Sequence, residues 1–371
     1  MQTLKHPLTG AYGSVSAELT SLHFGPSGGP KAYIQAALHA DEVPAMLVAQ
    51  SLRRRLLQLE RDGLLRGEVV LVPAANPLGL AQVLSERPYG RFDLGTGTNF
   101  NRDFAHFHEA LKQQLEGRLG DDGDANVRQI RAALLELAAQ LPALSDVATL
   151  KKTLLSLAID ADVVLDLHCD NEAAMHVYTG TPLCDAVAPL AGLLDAKALL
   201  HTRVSGGEPF DEACSRLWWE LQAHFGARHP VPLACVAATV ELRGETAVDY
   251  VSAERDALAI VRFLALRGLV DLPDPIPAAA ACAPSPLEGC ARLHAPHAGV
   301  LVYLRELGEP VRVGDAVADL IDPVSGHTTP IRSEAAGIFF GRLSHRYVSR
   351  GMSVGKVAGQ IPFRSGKLLS L

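Results

Sequence analysis

Histidine and acidic residues stand at spacings that suit a metal centre. The segment HADE puts His39 and Glu42 three residues apart, where a predicted strand ends at Leu38 and a helix follows. Side chains at i and i+3 of such a loop can converge on one point, and an imidazole with a carboxylate suits Zn²⁺. Most isolated HxxE pairs are ordinary surface residues, so the motif needs support from elsewhere in the chain.

A second histidine supplies that support. In DVVLDLHCDNE (162–172), His168 ends a predicted central strand, and catalytic groups of open α/β sheets favour this strand edge. A single histidine there is more often structural. Together with His39 and Glu42 it makes a His₂Glu set, which leaves one position for water as a catalytic zinc site requires. Asp166 is an even choice between a carboxylate that orients His168 and an ordinary strand residue.

A further carboxylate, Glu241, lies near the end of an apolar strand in ATVELRGE (238–245). Burial there is costly for a carboxylate that has no partner or task. Beside an activated water, a glutamate can take a proton and later deliver it to a leaving amine. The alternative, an ion-paired residue at a strand edge, is weaker only because the other two motifs exist. We therefore predict that Glu241 is the general base.

Arginines near a glycine-rich turn are candidate substrate groups. In FDLGTGTNFNRDF (92–104), Asn101 and Arg102 follow the turn, and Arg binds carboxylates through two hydrogen bonds. An adjacent amide can complete such a clamp. Arg91 and Arg87, just upstream, are both able to polarise a scissile carbonyl, and we favour Arg91.

Apolar β-branched segments alternate with amphipathic ones, which predicts an α/β fold with a central sheet flanked by helices. The predicted strands are Ala32–Leu38, Glu68–Pro73, Asp162–His168 and Cys235–Leu242. The predicted helices are Val43–Glu60, Val127–Gln140, Val147–Ile159, Asp211–Phe225 and Ala253–Leu266.

The composition changes near residue 271. Residues 271–289 are rich in Pro and Ala without periodicity and read as a linker between a domain over 1–270 and a module over 290–371. Short glycine-punctuated strands predict that this module is a small all-β domain. It resembles a barrel-sandwich or lipoyl/biotin-carrier fold, but its hairpin DPVSGHT (322–328) has no carrier lysine. We interpret it as a lid, a docking surface or an oligomer contact.

Composition excludes several classes of function. The net charge is −7, with both signs interspersed, so no basic stripe serves nucleic acid. No run of about 18 apolar residues offers a membrane span, and MQTLKHPLTGAYG has no secretory h-region. Six scattered cysteines without a CxxC pair indicate free thiols. We expect a cytoplasmic protein whose partner is a small molecule.

The ordered motifs HADE, ANPLG (75–79), NFNRDF (99–104), DLH (166–168) and TVEL (239–242) resemble the succinylglutamate desuccinylase/aspartoacylase family, within the wider zinc carboxypeptidase fold. The resemblance spans about residues 30–250. It implies one zinc ion per chain on His39, Glu42 and His168, with Glu241 as base and Arg102 holding a substrate carboxylate. It also implies a mixed sheet followed by a small β domain.

Three motifs depart from the family pattern. In the first, Ala40 and Asp41 stand where Gly-Asn is usual. In the second, Asn99 and Phe100 replace the start of DLNR, and in the third, Cys169 replaces a small hydroxyl residue. The presumed ligands survive these changes, while the acyl group and the amino acid of the substrate stay open.

We therefore expect metal-assisted hydrolysis of a small N-acyl amino acid or a similar carboxylate-bearing amide. Two alternatives remain: a carboxypeptidase acting on short peptides, and a non-enzymatic binding scaffold with a degenerate site. The complete His, Glu, His and Glu set argues against the scaffold. Other histidines, among them His106, His108, His294 and His297, are interpreted as surface residues.

Overall fold

The computed structural model describes residues 1–9 and 16–369. Its strands are β1 (Gln2–Pro7), β2 (Glu18–Phe24), β3 (Lys31–Ala36), β4 (Glu68–Val72), β5 (Val83–Leu84), β6 (Arg87–Pro88), β7 (Val163–Asp170), β8 (Glu172–Ala173), β9 (His176–Gly180), β10 (Ala198–Thr202), β11 (Val236–Gly244), β12 (Pro284–Pro286), β13 (Cys290–His294), β14 (Gly299–Tyr303), β15 (Pro310–Val311), β16 (Ala316–Ile321), β17 (Thr328–Arg332), β18 (Gly337–Arg342), β19 (Tyr347–Val348) and β20 (Ser353–Gly359). Its α-helices are α1 (Pro44–Arg61), α2 (Pro77–Leu80), α3 (His108–Leu115), α4 (Gly123–Gln140), α5 (Asp146–Ala158), α6 (Cys184–Leu193), α7 (Phe210–Phe225) and α8 (Tyr250–Leu266). In these two stretches, no helix is long and apolar enough to cross a bilayer.

A nine-stranded mixed sheet forms the centre of the molecule, in the order β1-β2-β4-β3-β7-β11-β9-β10-β12. The neighbours β4, β3, β7 and β11 run parallel to one another, whereas β9 runs antiparallel to β11. The sequence-based prediction of a mixed sheet flanked by helices is confirmed.

Helices cover both faces of this sheet. Alternate strand residues point to opposite faces, so Ile34 and Leu165 enter one hydrophobic core while Tyr33 and Val164 enter the other. The first core packs under α1, α6 and α8, and the second under α3, α4, α5 and α7. A strand covered on both faces is apolar along its length. This is why the sequence of β7 predicts a central strand.

The four strands and five helices predicted from the sequence are present, with ends that differ by up to four residues. The prediction omitted β1, β2, β9, β10 and α6. The text of α6 is CDAVAPLAGL, in which Pro189 and Gly192 weaken a helical reading. The strands β9 and β10 have only five residues each, too few for a firm periodicity.

The end of the interval predicted as a linker adopts a strand. Residues Pro284–Pro286 form β12, which pairs parallel to β10 at the edge of the large sheet. An edge position suits this proline-rich segment. Proline has no backbone N–H to donate, and an edge strand has a neighbouring strand on only one side. The domain boundary itself stays a prediction.

The strands after residue 289 form two smaller sheets around their own apolar cluster. One has the order β13-β20-β18-β15, and the other β17-β16-β14-β19. The short strand β8 follows β7 in the chain and pairs with β18. Glu172 of β8 accepts hydrogen bonds from Arg342 and Arg346. The C-terminal strands are therefore fastened directly behind the strand that carries His168.

The large sheet gathers the candidate residues at one edge. His39 and Glu42 follow the end of β3, and His168 lies near the end of β7. Glu241 on β11 is the direct parallel neighbour of His168 in the strand register. Ala37 has a left-handed backbone (φ 60°), which turns the chain out of β3 just before His39.

Candidate active site

His39, Glu42 and His168 converge on a single point. Nδ1 of His39 lies 2.8 Å from Oε1 of Glu42, and Nδ1 of His168 lies 2.7 Å from Oε2. The side chains are only 4%, 8% and 2% exposed, respectively. One ligand atom from each residue falls within 4.8 Å of the other two. The chain thus brings together two imidazoles and one carboxylate that could hold a metal ion.

The far nitrogen of each imidazole meets an oxygen acceptor. Nε2 of His39 lies 3.0 Å from Oδ1 of Asn99, and Nε2 of His168 lies 2.9 Å from Oδ2 of Asp166. Asn99 Oδ1 also accepts the backbone N–H of Asn101, which identifies it as the amide oxygen. Each Nε2 thus faces an oxygen acceptor and each Nδ1 faces the shared point, an arrangement in which a deprotonated Nδ1 can serve as a metal ligand.

Asp166 is held by a buried polar chain that runs across two strands. Gln35 on β3 donates from Nε2 to Asp166 Oδ1 at 2.9 Å. Tyr33 in turn donates its hydroxyl to Gln35 Oε1 at 2.8 Å. Both Gln35 and Asp166 are fully buried, so each carboxylate oxygen of Asp166 has a fixed role. The sequence left Asp166 an even choice, and the structure places it against His168.

Glu42 carries the negative charge of this cluster. Burial lowers the pKa of His39 to about 4, so its imidazole is neutral near pH 7. Burial disfavours a charged His168 as well, but Asp166 and Glu42 raise the pKa of His168 well above its usual range. Burial opposes ionisation of Glu42, yet His168 and His39 hold the pKa of Glu42 well below normal. The site therefore contains an ionised carboxylate that attracts positive charge.

Glu241 stands beside this cluster and lines the same cavity. Its Oε2 is buried and has no hydrogen-bond partner among residues 1–9 and 16–369. Burial and the nearby charge of Glu42 raise the pKa of Glu241 to about 8. A polar atom that is buried without a partner is costly, and this one is directed at a space where a reacting molecule can sit.

The two predicted arginines also line the cavity. Arg91 approaches the cluster, with its Nη1 3.3 Å from Nδ1 of His39 and 3.6 Å from Oε1 of Glu42. Arg102 donates from Nη1 to the backbone oxygen of Asn101 at 2.6 Å. Burial lowers the pKa of Arg102, but the guanidinium stays charged because its normal pKa is so high.

Asn101 has internal contacts that the sequence did not predict. Its Oδ1 accepts the backbone N–H of Phe210 at the start of α7 (2.9 Å), and its Nδ2 lies 3.2 Å from Nε2 of His168. The residue thus positions α7 and His168 at once. Its direct role in substrate binding stays a prediction.

The cavity has a volume of about 350 Å³ and is lined by both parts of the chain. The C-terminal strands and the tail contribute cationic side chains that sequence reasoning missed, namely Arg292, Arg342, Lys356 and Arg364. Lys356 pairs with Asp170 at the end of β7. Asp211 and Glu212, in the first turn of α7, were also missed, since acidic residues at a helix start are common. Only the fold reveals that these groups share a cavity.

Comparisons with known proteins agree with the geometry. The family model described as the succinylglutamate desuccinylase/aspartoacylase catalytic domain matches residues 28–141. A Shewanella amazonensis structure provisionally assigned to that family is 28% identical, with a TM-score of 0.83 and coverage of 96% of this chain and 98% of its own. A Shewanella frigidimarina structure of the same provisional assignment is 24% identical, with a TM-score of 0.85 and coverage of 97% and 98%.

A more distant structure, of succinylglutamate desuccinylase/aspartoacylase from Rhodobacter sphaeroides, has 17% identity and a TM-score of 0.65, covering 96% of this chain and 94% of its own. It shares the fold. No curated protein matches the chain.

A close backbone contact at Gly90 fixes the loop that carries Glu42. Ala40 donates its N–H to the Gly90 oxygen at 3.0 Å, and a Cβ on Gly90 would lie 2.2 Å from the backbone nitrogen of Asp41. Gly90→Ala should therefore displace this loop, destabilise the protein by about 1–3 kcal/mol and weaken its affinity for added divalent metal. Thermal unfolding and metal titration measure the two effects.

Gly95→Ala is the matched control in the same segment, because the nearest atom to its new Cβ lies 3.5 Å away. Equal behaviour of the two variants would show that the Gly90 contact does not shape the site.

Proposed function

Since the chain belongs to the succinylglutamate desuccinylase/aspartoacylase family of amide hydrolases, we propose that it is a zinc-dependent hydrolase of a small N-acyl amino acid or a similar carboxylate-bearing amide. The observation that carries the proposal is the His39–Glu42–His168 cluster, in which each Nε2 lies beside an oxygen acceptor and each Nδ1 faces the shared point.

The donor set fits zinc. Two imidazole nitrogens and one carboxylate are the ligands of many catalytic zinc sites, and three protein ligands leave a position for a reacting molecule. Neither hard-cation chemistry nor an all-thiolate site matches this combination. When bound, zinc would supply a Lewis acid for the scissile carbonyl and for the attacking water.

Glu241 would manage the protons of the reaction. Its buried Oε2 can accept a proton from the attacking water, and the same carboxyl group can then pass the proton to the leaving amine. A pKa near neutrality suits both roles, because the group must take up and release a proton in each cycle.

The arginines would supply binding and charge stabilisation. Arg102 offers a planar pair of donors for the substrate carboxylate. Arg91, which lies beside the cluster and lines the same cavity, would stabilise the negative charge that develops on the carbonyl oxygen. Asn101 would hold Arg102 and His168 in their relative positions.

The size of the cavity favours a small substrate. A volume of about 350 Å³ suits a molecule of amino-acid size, and side chains from the C-terminal strands line part of the cavity. This supports an N-acyl amino acid over a longer peptide, and it gives the C-terminal strands the role of a lid. A panel of N-acyl amino acids and dipeptides, assayed on zinc-loaded protein, separates the two classes of substrate.

Removal of any one ligand should abolish tight metal binding. His39→Ala, Glu42→Ala and His168→Ala should each lose the zinc that survives gel filtration in chelator-treated buffer, because two protein ligands hold zinc far more weakly than three. Elemental analysis measures the loss. Stoichiometric tight zinc in all three variants would refute the assignment.

Glu241→Gln should retain zinc and the fold but lose about 10²- to 10⁴-fold in kcat. The amide keeps the size and hydrogen-bonding shape of the side chain while removing the group that accepts the proton. KM should change little if Glu241 acts mainly in the transition state. Steady-state kinetics and elemental analysis provide the two measurements.

Glu245→Gln is the control for this change, since Glu245 lines the same cavity and bonds to Asn171. Wild-type activity in Glu241→Gln would assign the base to another group, and loss of zinc would make Glu241 a ligand.

Arg102→Ala should raise KM about 10- to 100-fold for substrates that carry a carboxylate, because a charge-assisted contact is lost. Neutral amides of the same acyl group should change much less. Arg102→Lys should recover part of the effect, since it restores the charge without the planar fork. A uniform loss on charged and neutral substrates would place the anchor elsewhere in the cavity.

A further inference from the structure

We propose that His106, His108 and Glu220 form a second site for a borderline divalent cation such as Zn²⁺, separate from the catalytic cluster. None of the three residues lines the cavity. No sequence motif joins them, because Glu220 is more than 110 residues away and the two histidines were interpreted as surface residues. The fold brings the three side chains together.

The ligand atoms of the three side chains converge. Nε2 of His106 lies 2.6 Å from Oε2 of Glu220, and Nδ1 of His108 lies 3.6 Å from the same oxygen. One ligand atom of each residue falls within 4.8 Å of the others. The two imidazole rings are stacked, with centroids 5.5 Å apart. Both rings therefore present a nitrogen to one carboxylate oxygen.

The surroundings fix this arrangement before any ion arrives. Arg216, one helical turn before Glu220 on α7, donates from Nε to Oε1 of Glu220 at 2.8 Å. That contact leaves Oε2 to face the histidines. Between the histidines, the side chain of Phe107 is buried in the core, which anchors the backbone of both. The pre-organised geometry reduces the entropy cost of closing a site.

The chemistry of the donors selects the ion. Two imidazoles and one carboxylate suit Zn²⁺, Ni²⁺ or Cu²⁺, whereas Mg²⁺ and Ca²⁺ require mainly oxygen ligands. The side chains are 16%, 18% and 19% exposed, so a dissolved ion can reach them. Arg216 and the nearby Lys112 carry positive charge that opposes the ion. We therefore expect this site to bind more weakly than the catalytic one.

The position of the cluster gives the ion a structural effect. The segment before His106 contains Asn101 and Arg102, and it already bonds to the start of α7 through Asn101 Oδ1 and the N–H of Phe210. Glu220 lies farther along α7. A cation on the two histidines and Glu220 would fasten the same segment to the same helix at a second point, and so stabilise the wall of the cavity that holds Arg102.

Zinc titration into protein that already holds one tight equivalent tests the proposal. Calorimetry should show a second equivalent, with a dissociation constant at least tenfold higher than the first, and saturation should raise Tm by about 2 °C or more. Mg²⁺ at the same concentration should produce neither effect. Absence of a second equivalent in the wild-type protein would overturn the proposal.

The variants His108→Ala and Glu220→Gln should each lose the second equivalent and the rise in Tm, while they keep the first equivalent and the basal activity. His327→Ala is the control, since it removes an exposed imidazole from the hairpin between β16 and β17. Retention of the second equivalent in both cluster variants, or its loss in His327→Ala, would place the weak site elsewhere. His168→Ala should keep the weak site even though it dismantles the catalytic one, so the two assignments fail independently.

Discussion

Two contacts, between Nε2 of His39 and Oδ1 of Asn99 and between Nε2 of His168 and Oδ2 of Asp166, orient the imidazoles on which the rest of the site depends. An imidazole offers a lone pair on only one nitrogen when it is neutral, and the acceptor opposite the other nitrogen decides which one. Without these acceptors, each ring could donate an N–H to Glu42, and the three side chains would satisfy one another without a metal ion. With the two acceptors in place, both Nδ1 atoms and the Glu42 carboxylate meet at one point where an ion could bind.

The large sheet supports these contacts as well as forming the apolar cores. Asp166 is fully buried on β7, and a buried carboxylate costs several kcal/mol unless charge and hydrogen bonds compensate it. The compensation comes from a neighbouring strand, through Gln35 and Tyr33. A shift of one residue in the β3–β7 register would point Gln35 to the other face of the sheet and leave Oδ1 of Asp166 without its donor. Strand register and imidazole tautomer are therefore coupled.

Much of this was predictable from the sequence because the strands that carry the site are long, apolar and followed by distinctive residues. His39, Glu42, His168 and Glu241 could be assembled from strand ends alone, since parallel strands end at the same edge of a sheet. Their convergence needed only the correct α/β class. The ends of α1 (Pro44–Arg61) also lie within one residue of the predicted range, Val43–Glu60.

Other features were hidden because they depend on tertiary contacts. Nothing in the local text of Lys356 or Arg292 distinguishes them from surface cations, and they reach the cavity only because β8 pairs with β18. The His106–Glu220 contact likewise joins the start of α3 to the middle of α7. Asn101 was recognised as a site residue, but its bond to Phe210 required knowledge of where α7 begins.

The charge balance of the cavity favours a bound cation. Glu42 is ionised and deeply buried, and it acts with burial to raise the pKa of Glu241 to about 8. Burial and Glu212 similarly raise the pKa of Asp211 to about 7. Without a bound ion, these raised pKa values favour protonated Glu241 and Asp211, which reduces the repulsion between neighbouring carboxylates. A divalent ion on the His39–Glu42–His168 cluster would relieve the same repulsion without a proton. With the ion bound, Glu241 could ionise. The proposed general base would then be ready to accept a proton only when the proposed metal ion is in place.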